Sequence, residues 1–242
     1  MRILTFNIQH ALDYQNQIID IDLFIRKINE FSPDICGLNE VRGEGPVKGY
    51  TDQTNAIADG LDYYRYFGEA IKVCGTSPYG NALVSKMPYK SAETIKIPDP
   101  EEKNETDADG DPVGYESRII IKAVYENNGR EFCVLITHMG LAVSERINAV
   151  KTLCDIIDST DMPIILMGDF NSVPDDEILE PLFERLEDTN SVSSTPDAPT
   201  YASFDPSEKI DYILYRGLEC ARAETIREII SDHFPIVAEF NI

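Results

Sequence analysis

Twice along this chain an apolar, strand-like segment ends on a polar residue. Each time a helical pattern closed by proline follows, and then a second apolar segment that also ends polar. The first unit runs RILTFNI (2–8) with Asn7, then Ile21, Phe24, Ile25, Ile28 and Phe31 at helical spacing, Pro33, and ICGLNEV (35–41) with Glu40. The second runs FCVLIT (132–137) into His138, then Ile147, Val150, Leu153, Cys154 and Ile157, Pro163, and IILMG (164–168) into Asp169. Asn7 to Glu40 spans 33 residues and His138 to Asp169 spans 31. Two such units would set four polar groups at one rim of a sandwich.

Further strands read at 81–86, 118–125, 210–215 and 235–240. A third helix reads over Ile178, Leu179, Leu182, Phe183 and Leu186, with Asp175, Asp176 and Glu177 at its positive end. Strands outnumber helices, and the helices are spread along the chain. This predicts a four-layered α/β sandwich: two packed, mostly antiparallel sheets with helices outside. No linker interrupts the 242 residues, so a single domain, 1–242, is expected.

The polar residues at these strand ends are unusual in type: Asn7, Glu40, His138, Asp169, Asn171, Asp211, Asp232 and His233, each beside segments that call for burial. A buried charge is costly unless paired or metal-bound. Carboxylates gathered at one rim repel each other, and a hard divalent cation with oxygen ligands relieves that cost. A satisfied polar core would explain any one of these residues but is a poor account of all of them.

The formal net charge is −22, from 43 acidic against 21 basic residues, with no basic run. Duplex binding rests on Lys and Arg that neutralise phosphates. The balance therefore favours a small substrate, or one met by bound cations, over a long nucleic-acid track. Eight acids fall within 98–116, a stretch that reads as a solvated loop; its spacing imitates a calcium loop but puts Pro112 and Arg118 where glycine and glutamate are needed. Five cysteines without a CxxC read as reduced thiols. With no signal peptide before the first strand and no membrane-length apolar run, a cytoplasmic monomer is expected.

The stretches TFNI (5–8), GLNEV (37–41), GNALVSK (80–86), THMG (137–140), GDFNS (168–172), KIDYIL (209–214) and SDHFPI (231–236) together resemble the endonuclease/exonuclease/phosphatase superfamily, in family order and across nearly the whole chain. The resemblance implies the same sandwich and a Mg²⁺- or Mn²⁺-dependent attack of water on phosphorus. It implies Glu40 and Asp232 as metal ligands, with Asn7 near the metal and the scissile phosphate. Asp169 and Asn171 would hold the attacking water or a transition-state oxygen. Asp211 and His233 would form a carboxylate–histidine pair, with His138, and less directly Arg118, on the phosphate. Asn39 stands where members commonly have glutamine. His138 sets the chain nearer the deoxyribonuclease, sphingomyelinase and phosphatase branches than the abasic-site enzymes. The expected activity is hydrolysis of a small phosphorylated molecule. The alternatives are a DNA or RNA nuclease using the same site, and a silent binding module, which the intact residue set disfavours.

Overall fold

The computed structural model describes residues 1–107 and 109–241. In chain order the elements are β1 (Arg2–Asn7), a small hairpin of β2 (Leu12–Asp13) and β3 (Ile18–Ile19), α1 (Ile21–Phe31), β4 (Ile35–Arg42), α2 (Gln53–Leu61), β5 (Tyr64–Val73), β6 (Ser77–Ser85) and β7 (Ser91–Lys96). They continue with β8 (Ile119–Asn127), β9 (Arg130–His138), α3 (Val143–Asp158), β10 (Ile164–Asp169), α4 (Glu180–Phe183), β11 (Glu187–Asp188), β12 (Asp211–Arg216), β13 (Glu219–Thr225) and β14 (Ile236–Asn241).

Among the described residues, one six-stranded sheet runs β13-β14-β1-β4-β6-β5 and the other, read in the matching direction, β7-β8-β9-β10-β12-β11. The ladders match pair for pair: two antiparallel, one parallel, two antiparallel. The parallel pairs, β1 with β4 and β9 with β10, are the two repeat units, joined by α1 and α3. Parallel neighbours need such a crossover. The register corrects one detail of the repeat. Asn7 lies opposite Asn39, and His138 opposite Asp169, so the counterpart of Asp169 is Asn39 rather than Glu40.

The central strands are apolar throughout because both their faces are covered. Ile3, Ile35, Val134, Ile136, Ile165, Met167 and Ile213 face the space between the sheets. Leu4, Phe6, Cys36 and Leu38 pack on Phe24, Ile28 and Phe31 of α1 and on Ile57 and Ala58 of α2. Cys133, Leu135, Ile164 and Leu166 pack on Ala149, Val150 and Leu153 of α3 and on Leu182 of α4. These are the four expected layers.

Helix α1 starts where Asp20 accepts from the Leu23 N–H and ends at left-handed Ser32, one residue before Pro33. The third expected helix is only partly formed. A 3₁₀ turn at Glu177–Leu179 leads into the four residues of α4. Pro181 has no N–H to continue the hydrogen-bond ladder from the preceding turn. The acidic 98–116 stretch is not simply solvated: Glu105 accepts from the N–H groups of Val143 and Ser144, at 2.7 and 3.0 Å, and so caps the positive end of α3. No helix among the described residues is long and apolar enough to cross a membrane.

Candidate active site

The C-terminal ends of β1, β4, β9 and β10 meet the start of β12 and the 231–233 segment at one rim. There Glu40, His138, Asp169, Asn171, Asp232, His233 and Arg118 line an open cavity of about 430 Å³. Asn7 and Asp211 stand behind it, each 1% exposed. The expected site residues are thus brought together.

Three backbone features aim them. A bulge in β4 between Leu38 and Val41 puts Glu40 in the left-handed region, at φ 60. Bulges redirect side chains at rims in this way. Asn39 then turns inward, fully buried, while Glu40 faces the cavity. In β10, Gly168 has φ 143, and a Cβ there would lie 1.8 Å from the Thr137 carbonyl oxygen. Only glycine lets β10 approach β9 closely enough to set Asp169 beside His138. Beyond it Asn171, at φ 48, folds back so that its N–H meets Asp169 Oδ1 at 2.9 Å and its Nδ2 meets the Met139 carbonyl at 2.9 Å.

Asn39 ties the two sheets together at the rim. Its Nδ2 donates to Asn81 Oδ1 and to the Thr137 carbonyl, both at 2.9 Å, and its Oδ1 accepts the Asp169 N–H at 3.1 Å. A glutamine is longer by one methylene, so the short amide belongs to a tight inter-sheet clasp. Tyr79, Asn81, Glu116 and Tyr201 are contributors that sequence reasoning missed, while Asn39 was marked there only as a short amide in place of glutamine. Of these, Asn81 carried a signal, its place in the GNALVSK stretch.

Asp169 Oδ2 is where the polar groups converge. Asn7 Nδ2 donates to it at 3.0 Å and to Glu40 Oε1 at 3.1 Å. Carboxylates only accept, which fixes this amide's orientation. Asn7 Oδ1 accepts the Gln9 N–H at 3.1 Å. Tyr79 donates its hydroxyl to Glu40 Oε2 at 2.8 Å. The Nε2 atoms of His138 and His233 each stand 3.6 Å from Asp169 Oδ2.

The two imidazoles differ in charge. His233 Nδ1 lies 2.8 Å from Asp211 Oδ2. Burial alone would make this ring less basic, but the Asp211 and Asp169 carboxylates outweigh it and hold its pKa up at about 10. His138 has no such carboxylate behind it. Burial first, then the Arg118 and His233 charges, push its pKa well below the ordinary 6.5. Arg118 Nη1 lies 3.3 Å from His138 Nδ1, and a guanidinium only donates. His138 Nδ1 is therefore the acceptor, and its one hydrogen sits on Nε2, facing Asp169. The cavity thus holds one cationic and one neutral imidazole, both offering N–H donors. Burial, and next the Asp211 charge, lift the Asp169 carboxyl to about 7 against the pull of His233. Asp232 is also raised, by burial and by the Glu40 charge, against His233.

Among the described residues, Asp169, Asp211 and His233 form one group whose ligand-type atoms all lie within 4.8 Å of one another and could hold a metal. His233 Nδ1 is engaged with Asp211, so a hydrogen-bonded chain describes these three better. Glu40 and Asp232 offer further carboxylate oxygens on the wall of the same cavity, where the Glu40 charge acts on Asp232.

The sequence model of the Endonuclease/Exonuclease/phosphatase family matches residues 4–233, and the chain belongs to that family. A curated protein of Vibrio vulnificus (strain YJ016), UPF0294 protein VV2535, is 34% identical over 82 residues, which are 33% of this chain and 28% of that protein. The chain therefore matches under a third of the length of this curated relative. Among solved structures, an endonuclease/exonuclease/phosphatase family protein from Leptotrichia buccalis C-1013-b superposes with TM-score 0.76 at 22% identity over 100% of both chains. The mannosyl-6-phosphatase Bt3783 of Bacteroides thetaiotaomicron VPI-5482 superposes with TM-score 0.72 at 16% identity, also over 100% of both. At these identities the likeness is one of fold.

Proposed function

We propose that this protein is a Mg²⁺- or Mn²⁺-dependent hydrolase of a small phosphoester. The observation that carries the reading is the buried Asp211–His233 pair, whose cationic Nε2 faces Asp169 at the floor of a cavity walled by Glu40 and Asp232. In this reading water attacks phosphorus and gives up a proton to Asp169, held in place by Asn7 and the Asn171 N–H. The bond from phosphorus to the leaving oxygen breaks. His233 stabilises charge growing on the phosphoryl oxygens, and neutral His138 donates a hydrogen bond from the other side. Arg118 orients His138 and adds a fixed positive charge.

The donor set fits a hard cation. Glu40, Glu116, Asp169 and Asp232 line the cavity against Arg118 and His233, too little positive charge to attract a phosphate dianion. Glu40 and Asp232 would hold the ion. Asn7 would stand beside the ion: its Nδ2 orients Glu40, and its Oδ1, which accepts one N–H, keeps a second lone pair for the ion. A bound divalent ion supplies Lewis-acid polarisation of a phosphoryl oxygen and charge relief at the leaving oxygen.

The small-substrate reading draws support from the charge of −22 and the absence of Trp. It also fits a fold shared with a protein named as a mannosyl-6-phosphatase. A nuclease would use the same residues and is the second reading. The test is a panel of phosphate mono- and diesters, sugar phosphates, nucleotides, sphingomyelin and plasmid DNA, with and without Mg²⁺ or Mn²⁺. Turnover abolished by chelation and restored by Mg²⁺ is expected. Full turnover after exhaustive chelation would sink the metal dependence, and no turnover of any ester would sink the hydrolase.

A further inference from the structure

Where β1 leaves its sheet after Asn7, the backbone passes through three successive left-handed residues, Gln9, His10 and Ala11, at φ 42, 49 and 59. None is glycine, and left-handed runs of L-residues persist only where surrounding contacts enforce them. The backbone of β4 is likewise left-handed at Glu40. A single side chain grips both segments. Gln53, the first residue of α2, is fully buried. Its Nε2 donates to the His10 carbonyl at 2.6 Å, and its Oε1 accepts the Arg42 N–H at 2.9 Å. His10 lies three residues beyond Asn7, and Arg42 two beyond Glu40.

Gln53 is carried on a firm support. Asp52 caps α2 by accepting the Asn55 N–H at 2.9 Å, and Ile57 and Ala58 are buried against the sheet. Past the end of β1 no strand among the described residues receives the Arg42 N–H, and the glutamine oxygen takes that place. An apolar side chain here would leave a buried donor and a buried acceptor unpaired. A carboxylate could accept from Arg42 but could not donate to His10.

We propose that Gln53 is a positioning residue of this site. Its amide ties the backbone behind Asn7 to the backbone behind Glu40 and so sets how the two side chains meet, now at 3.1 Å. This rests on the reading of Glu40 as a cation ligand. Gln53 touches neither the cavity nor the reacting atoms and acts only through those two residues.

The test uses the full chain, metal-free, with Mn²⁺ alone as the probe and free Mn²⁺ followed by its electron paramagnetic resonance signal. For Gln53→Met, Mn²⁺ binding roughly 10-fold weaker than wild type is expected, the low end of what outer partners of metal ligands contribute. Circular dichroism should stay native and unfolding cooperative. On the best ester of the panel, kcat should fall while KM moves little. If Gln53 only supports the fold, the variant melts at a lower temperature but binds Mn²⁺ as wild type does while folded, and the proposal is overturned. If Gln53→Met does not fold, Gln53→Glu takes its place. It keeps the length and the bond to Arg42 and loses the donor to His10. Weakened Mn²⁺ binding again supports the proposal, and wild-type binding overturns it. A wild-type protein that binds no Mn²⁺ overturns the metal reading and this inference with it. Wild-type binding with an indifferent Gln53 variant overturns this inference alone.

Discussion

At the scale of single residues, the site works by giving chemically similar groups opposite tasks. His233 and His138 are both buried, yet only His233 has a carboxylate on its Nδ1; His138 has a guanidinium there. One ring stays charged and the other neutral. With Asp169 active when deprotonated and His233 when protonated, kcat/KM should rise through about pH 7 and fall near pH 10, the values set by these environments. Asp211→Asn removes the charge that offsets burial at His233. The alkaline limb should then move down by at least about one pH unit, toward the range of an ordinary histidine. A pH–rate profile whose alkaline limb stays fixed in Asp211→Asn would show that His233 is not the group titrating. Asp211→Asn and His233→Ala should each lower kcat, and the double variant should lose little more than the worse single one, because the two residues act as a unit. Multiplicative losses would separate them. The identities of these residues were readable as polar letters in apolar surroundings. The charged state of His233 followed from the expected Asp211 partner; the neutral state of His138 did not, because it depends on Arg118 standing at its Nδ1, a contact between distant parts of the chain.

At the scale of elements, what could be read from letters follows burial. β1, β4, β9, β10 and β12 are interior strands with both faces covered, so hydrophobicity alone marks them. In the two large sheets, the strands that escaped the sequence reading, β5, β7, β13 and the short β11, are all edge strands. Edges carry polar, partly exposed sequences such as SAETIK and ECARAET, which blunts both pairing with other chains and any apolar signal. Helix α2 was missed because its apolar contribution to the core is small: Ile57, Ala58 and the partly buried Leu61. The bulge at Glu40 and the close pass of β10 at Gly168 are equally invisible in the letters, since both are properties of a neighbouring strand. Gly168 gives a direct test. Gly168→Ala must displace the Thr137 carbonyl and hold alanine at φ 143. A cost of at least ~2 kcal/mol is expected from overpacking and backbone strain together. Chemical denaturation should show this loss, and the surviving folded protein should turn over substrate more slowly, because Asp169 moves with the strand. Wild-type stability in Gly168→Ala would mean that the β9–β10 approach is looser than described.

At the scale of the whole molecule, the two matching sheets bring four strand ends to one rim, while the surface carries a net charge of −22. These features pull in opposite directions on an anionic substrate. The cavity offers Arg118, cationic His233 and the expected divalent ion; the surface around it repels polyanions. Screening limits that repulsion to about 10 Å at 0.1 M salt, so a small ester seated in the cavity meets the local charges more than the distant ones. A duplex lies across the surface beyond the cavity and needs basic side chains there. A protein that neutralises several phosphates shows log affinity falling against log salt with a slope of about −0.9 per contact. With 21 basic residues against 43 acidic and no basic run, few such contacts are available. The expectation is weak plasmid nicking with a shallow salt dependence, beside turnover of a small ester that changes little with salt. The measurement is kcat/KM for plasmid nicking and for the best small ester, each at two salt concentrations. Efficient nicking that falls steeply with salt, alongside negligible small-ester turnover, would overturn the small-substrate reading. It would mean that a basic track is concentrated near the rim despite the overall charge, and the same Asp211–His233 pair would then serve a nuclease.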